Sequence, residues 1–212
     1  MMFVTEGISM TNTNHWSEVY QTTSSDAVSW YQPSCESSLR AIDQFAAAEP
    51  GSLIDVGGGA SHLVDRLSGK GWTDLTVLDL AAPALDVVKA RLGKIADAIN
   101  WVVADITQWV PARTYDVWHD RAVFHFLTDA EQRAGYRQAL DAGIVRGGLV
   151  IVATFALDGP ERCSGLLVER YDAAKLSDEL GPDFQLLTSW REVHLTPWQS
   201  DQAFNWCVFR RI

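Results

Sequence analysis

Leu53-Ile54-Asp55-Val56-Gly57-Gly58-Gly59-Ala60-Ser61 joins a short apolar run, with an acid near its end, directly to a turn of three glycines. Glycine adopts positive φ freely and has no Cβ, so such a turn can bend sharply and let the backbone approach a ligand that a larger residue would exclude. A helix starting at about Gly59 would aim its unpaired amides at the same place. The stretch therefore reads as a strand that ends in a seat for a nucleoside-bearing cofactor, and it points to an enzyme.

Outward from it, apolar bursts alternate with longer segments of helical period. Strands are expected at Ser52–Val56, Leu75–Asp79, Trp101–Ala104, Tyr115–His119 and Leu149–Phe155, several of them almost continuously apolar, as strands covered on both faces must be. Helices are expected at Ala60–Leu67, Pro83–Leu92 and Thr128–Ala142, where Pro83 suits a first turn and Thr128 with Glu131 makes a capping box. This alternation predicts a mostly parallel sheet with helices on both faces. After the fifth strand the pattern changes. Asp172–Leu180 reads as a helix stopped by Gly181-Pro182, and Phe184–Leu195 and Ala203–Arg210 read as two long strands whose short link makes them antiparallel.

The chain has 212 residues, enough for one domain with a substantial core. A formal net charge of -10 and the lack of a Lys/Arg run argue against a nucleic-acid partner. No apolar run approaches a membrane span, and Met1 to Met10 lack the pattern of a signal peptide, so a cytoplasmic protein is expected. Residues 1–12 are polar and without period and are expected to be disordered, with Met10 as an alternative start. Cys35, Cys163 and Cys207 are odd in number, far apart and without CxxC spacing, which suits reduced thiols. His and Cys never fall at ligand spacing, so no metal is expected.

Two cofactor classes use a glycine turn of this kind, the dinucleotides and S-adenosylmethionine, and the loop alone does not separate them. In the dinucleotide fingerprint Gly57 and Gly59 would fit, but the third glycine position is the bulky His62, where helix and strand must pack closely. The antiparallel tail also departs from continued parallel βα units. With Asp55-Val56-Gly57-Gly58-Gly59-Ala60-Ser61 in place of the usual acid-x-Gly-x-Gly-x-Gly, the chain from about His15 onward resembles the class I S-adenosylmethionine-dependent methyltransferases. The resemblance implies an α/β fold: a three-layer α/β/α Rossmann-like sandwich around a seven-stranded, mostly parallel sheet whose last strand is antiparallel. It divides the chain into a cofactor lid (residues 13–48), a cofactor-binding core (49–156) and a substrate-side loop, helix and hairpin (157–212).

The resemblance also implies roles for the residues at the carboxyl ends of the strands. Asp79 would accept from both ribose hydroxyls and Asp105 from the adenine amino group, with Leu80 and Ile106 on the ring faces. Gly57, Gly58 and Gly59 would line the methionine end, and Asp55 would tie down the loop or reach the amino group through water. Past the fourth strand, Asp120 and Arg121 would contact the methionine part or orient substrate. His125 is the best-placed imidazole for removing a proton near neutrality, or else a hydrogen-bonded core histidine between Phe124 and Phe126. The aromatic segments around Trp16, Tyr20, Trp30 and Tyr31 would cap the cofactor, where electron-rich ring faces attract a sulfonium. Arg162, Cys163 and Trp198, on two rim loops, join Tyr31 and His125 as candidates for substrate contact, and Cys163 is expected to be the most exposed thiol.

The function implied is methyl transfer by in-line displacement to an oxygen, nitrogen or sulfur of a small molecule, with alignment and exclusion of water supplying most of the rate. A protein-lysine methyltransferase and a catalytically silent cofactor-binding protein are the alternatives. Absence of an Asn-Pro-Pro-Tyr motif after the fourth strand argues against adenine or glutamine amide nitrogen as acceptor. The sheet edge left by the hairpin would allow a monomer or a homodimer.

Overall fold

A computed structural model describes residues 7–46 and 50–212, with side chains from Asn14 onward. Seven strands form one sheet: β1 (Ser52–Val56), β2 (Asp74–Asp79), β3 (Asn100–Val103), β4 (Tyr115–Arg121), β5 (Ile144–Phe155), β8 (Phe184–Leu195) and β9 (Asp201–Arg211). Their order is β3-β2-β1-β4-β5-β9-β8, and β9 alone runs antiparallel to both of its neighbours. A two-stranded ribbon of β6 (Arg162–Cys163) and β7 (Leu166–Leu167) stands apart from the sheet. The helices are α1 (Gly7–Thr22), α2 (Glu36–Phe45), α3 (Leu63–Gly69), α4 (Ala82–Leu92), α5 (Ala130–Gly143) and α6 (Ala173–Leu180).

Alternate residues of the same strands build two cores, one on each face of the sheet. Leu53, Val77, Val117, Ile151 and Val208 join Ile42, Leu67 and Leu85 on one side. Ile54, Leu78, Trp118, Val150, Val152 and Phe209 join Tyr136, Leu140 and Leu176 on the other. Burial of both side-chain sets explains why β1, β2 and β5 read as nearly unbroken apolar runs. The three-layer expectation holds, including the antiparallel closure.

The boundaries differ where side chains compete for the backbone. Helix α3 starts at Leu63, not at Ala60, because Gly58 to Ser61 form a turn with Ser61 N–H on the Gly58 carbonyl at 2.8 Å, and Ser61 Oγ then accepts from Leu63 N–H at 3.0 Å. Asp129, rather than Thr128, caps α5 by accepting from Gln132 N–H at 2.8 Å. Strand β5 begins at Ile144, five residues before the expected start, and carries Gly147 at φ 78°. Residues 1–6 of the stretch expected to be disordered lie outside the described residues, whereas Gly7 to Asn12 form the first turns of α1. No helix among the described residues is long and apolar enough to cross a membrane.

One close approach positions the site. A Cβ on Gly135 would lie 2.1 Å from the Thr107 carbonyl oxygen, so glycine lets α5 pack directly on the turn that follows Asp105. In an unobstructed helix, Gly→Ala gains about 1 kcal/mol from propensity. Here Gly135→Ala is expected to cost about 2 kcal/mol because the backbone must separate. A fall in the urea midpoint checks this, and an unchanged or higher midpoint would refute the packing.

Candidate functional site

The glycine turn is tied to the end of the neighbouring strand. Gly57 N–H and Gly58 N–H both donate to the Leu78 carbonyl, at 2.7 and 3.2 Å. Gly57 sits at φ 65°, and a Cβ there would fall 1.9 Å from Val123 Cγ2, so both backbone conformation and space demand glycine. Gly59, at φ 47°, lies under two polar groups: its absent Cβ would be 2.6 Å from Tyr20 Oη and 3.3 Å from Asp79 Oδ2.

Asp79 ends β2 beside this turn. Its Oδ1 accepts from Ala81 N–H at 2.8 Å, and the amides of Gly59 and Leu80 also point at the carboxylate. Burial pushes its pKa up to about 6, against the pull of those amides. Asp105 follows β3, and its Oδ1 accepts from Thr107 N–H at 2.9 Å and Thr107 Oγ1 at 2.7 Å. The backbone thus orients both acids before any ligand arrives.

These groups line one cavity of about 540 Å³, within the usual range for small-molecule sites. Asp79, Leu80, Asp105 and Ile106 line it together with Trp16, Trp30, Phe126, Arg121 and Cys163. Trp16 of α1 makes edge contacts with Trp30 (5.4 Å between ring centroids) and Phe126 (5.1 Å), and Trp30 Nε1 donates to Tyr20 Oη at 3.2 Å. The N-terminal aromatics therefore close the cavity as a packed wall. Burial, with Asp79 second, drives the Tyr20 hydroxyl well above its ordinary range, which keeps it a neutral donor.

A smaller cavity of about 60 Å³ adjoins the first, and Tyr20, Trp30, Gly57 and Arg121 line both. It contains Tyr31, Gln32, Asp55 and Gly58. Asp55 Oδ1 meets His119 Nδ1 at 2.7 Å, and His119 Nε2 meets Ser38 Oγ at 3.0 Å. This buried chain ties β1, β4 and α2 together behind the glycine turn, giving Asp55 its loop-holding place.

Arg121 closes β4 at the junction of the two cavities. Its Nη1 donates to the Trp30 carbonyl at 3.1 Å, and the guanidinium lies 4.7 Å from the centroid of the Phe204 ring. Nε and Nη2 are buried with no hydrogen-bond partner. Burial lowers its pKa to about 10, so it stays charged near neutrality.

Four expected roles are not supported by these positions. Asp120 is fully buried, does not line either cavity, and accepts from Val123 N–H (3.0 Å) and Phe124 N–H (3.2 Å), so it shapes the turn after β4 instead of reacting. His125 is also fully buried outside both cavities: its Nδ1 accepts from Phe155 N–H at 3.2 Å, and burial followed by the charge of Arg121 pushes its pKa down to about 3. It is a neutral core histidine and not a base. Arg162 turns onto the Gly165 carbonyl (2.8 Å), and Trp198 is 57% exposed on the β8–β9 turn; neither lines these two cavities. Cys163, expected to be exposed, is 4% exposed within the cavity wall, its Sγ 3.9 Å from Ser29 Oγ, and burial raises its pKa to about 11. Phe126 and Val123 line the cavity without having been anticipated, although their position just past β4 is the signal that marks them.

Residues 53–143 match a family described as a methyltransferase domain. Over 108 residues the chain is 24% identical to malonyl-[acyl-carrier protein] O-methyltransferase 2 of Ilyobacter polytropus, a match that takes 50% of this chain and spans 40% of that relative's length. Among solved structures, a methyltransferase from Anabaena variabilis described as S-adenosylmethionine-dependent superposes with a TM-score of 0.75 at 14% identity, over 97% of this chain and 96% of that one. The 1,6-didemethyltoxoflavin N1-methyltransferase of Burkholderia thailandensis, solved with 1,6-didemethyltoxoflavin and S-adenosylhomocysteine, gives 0.74 at 15% identity, covering 100% and 92%. N-methyltransferase NodS of Bradyrhizobium japonicum, in complex with S-adenosylhomocysteine, gives 0.71 at 18% identity, covering 94% and 98%. The structural likenesses are likenesses of fold.

Asp120→Ala should leave the Val123 and Phe124 amides and the Tyr136 hydroxyl, which also bonds this carboxylate, without their acceptor. The expected loss is about 3 kcal/mol of folding stability in denaturant titration. A loss below about 0.5 kcal/mol would contradict the role given to Asp120.

Proposed function

Starting from a chain of the class I S-adenosylmethionine-dependent methyltransferase family, we propose that it binds S-adenosylmethionine in the large cavity and transfers the methyl group to a small-molecule acceptor. The observation that carries this reading is the alignment of Asp79 and Asp105, at the ends of adjacent strands, in one cavity that runs from them to an aromatic wall. The cofactor supplies an activated methyl on a sulfonium, so the protein needs no strong acid or base.

The residues present fit that group. Asp79, pinned by the amides of Gly59, Leu80 and Ala81, offers carboxylate oxygens to a pair of vicinal hydroxyls. Asp105 provides an acceptor for an amino-substituted ring, and Leu80 and Ile106 supply apolar faces. Gly57 opens the floor, while Tyr31, Gln32 and Gly58 present polar groups in the adjoining small cavity. Trp16, Trp30 and Phe126 line the cavity as an edge-packed group that would exclude water from the transfer region, and a sulfonium over such a ring face gains about 0.5 to 2 kcal/mol. Catalysis then rests on alignment of the acceptor, not on His125 or Asp120.

Trp16 and Tyr20 of α1 and Trp30 cover part of the cavity, and its lining favours a compact acceptor over a protein side chain. Incubation of a lysate with S-adenosylmethionine labelled in its methyl group tests this: label is expected in the small-molecule fraction, and label confined to a protein band would establish the protein-lysine alternative. Binding without any S-adenosylhomocysteine formed would establish the silent one.

Asp79→Ala should weaken S-adenosylmethionine binding at least thirtyfold in calorimetric titration, and unchanged affinity would count heavily against the assignment. The pH dependence has a definite sign. With its pKa at about 6, Asp79 takes up a proton as pH falls through that value and loses acceptor capacity, so affinity should be about tenfold weaker at pH 5 than at pH 7.5. Asp79→Asn, which cannot titrate, should flatten that profile.

A further inference from the structure

We propose that Arg121 anchors a carboxylate on the methyl acceptor, so that the acceptor is an organic acid whose apolar body lies against Trp16, Trp30 and Phe126. The inference rests on the reading of the large cavity as a methyl-transfer site.

The guanidinium has one committed nitrogen, Nη1 on the Trp30 carbonyl, and one committed face, over Phe204. Nε and Nη2 are buried and unpartnered. No ion pair among the described residues includes Arg121: Asp55 is taken by His119, and Glu192, the strongest charge acting on Arg121, has its own buried Oε2 without a hydrogen-bond partner and stays beyond ion-pair distance. A buried charge without a partner is costly, and proteins retain one where a ligand completes it. Nε and Nη2 share one edge of the guanidinium, and their parallel N–H bonds match the two oxygens of a carboxylate.

The lean of the guanidinium toward β9 is the reason for giving that edge to the acceptor and not to the cofactor. In the sheet, β1 and its glycine turn lie on one side of β4, and β5 and β9 on the other. Arg121 starts on β4 and its head reaches Phe204 of β9, with Glu192 and Cys163, and Asp55 and Cys35 on the glycine side, within its electrostatic reach. The guanidinium thus leans to the β9 side of its own strand, while Arg121 lines both the large cavity and the small one beside the glycine turn. Polar groups of Tyr31, Gln32 and Ser25 remain on the glycine side for the amino-acid part of a cofactor.

The test uses the full chain saturated with S-adenosylhomocysteine. Benzoate, phenylacetate and 4-methylpentanoate are each titrated against their primary amides, for the wild type and for Arg121→Gln. At least one acid should bind the wild type tenfold or more tightly than its amide, and Arg121→Gln should lose that preference while its S-adenosylhomocysteine affinity stays within threefold. Absence of any acid preference in the wild type would overturn the proposal, and this comparison decides alone if the variant does not fold. A tenfold loss of S-adenosylhomocysteine affinity in Arg121→Gln, with unchanged affinity for 5′-methylthioadenosine, would also overturn it, because the guanidinium would then hold the cofactor's own carboxylate. A wild type that binds no S-adenosylhomocysteine defeats the cofactor reading and this proposal together, whereas a wild type that binds it without acid preference defeats this proposal alone.

Discussion

The two hydrogen bonds from Gly57 and Gly58 to the Leu78 carbonyl join the end of β1 to the end of β2, and the site is built around that junction. They pull the glycine turn across the top of the sheet until Gly59 lies beneath the Asp79 carboxylate and the Tyr20 hydroxyl. A side chain at either positive-φ glycine would meet Val123, or Tyr20 and Asp79, so the close approach is possible only because those positions are bare. From this junction the neighbouring parallel strands deliver Asp79, Asp105 and Arg121 to the same edge of the sheet, where an open α/β sheet places its ligands.

Buried polar groups around the cavity fall into two kinds. Asp55, His119 and Ser38 satisfy one another, and Asp120 is satisfied by the turn it holds. They stabilise the frame behind the site. Asp79 and Arg121 are oriented but retain capacity for a ligand, Asp79 with its pKa raised by burial and Arg121 with one edge unpaired. An oriented group that keeps its bonding capacity needs little rearrangement when a ligand arrives, which is the condition for catalysis by alignment.

The aromatic N-terminal segment shows how far spacing alone can be read. His15-Trp16 and Ser29-Trp30 are unusually aromatic for a region outside the sheet, and the structure puts both tryptophans on the cavity, Trp16 in edge contact with Trp30 and Phe126. His125, one residue earlier, looked equally suitable by its residue type. A one-residue step in the short helical turn Phe124–Phe126 sends Phe126 to the cavity and His125 into the core against Phe155. Nothing in residue type distinguishes those two directions.

The sequence by itself determined the fold class, the seven strands of the sheet, the antiparallel closure and the acids that end β2 and follow β3. These features are recorded in local patterns: apolar runs buried on both faces, glycine where φ must be positive, and a link too short for a parallel crossover. Only the tertiary structure decided that Asp120 and His125 belong to the frame, that Cys163 is buried in the cavity wall, and that Arg121 reaches past β5 to Phe204 with one edge free. The physical reason is that burial and hydrogen-bond satisfaction depend on what distant strands bring alongside a residue, and that information lies in no window of the chain around it.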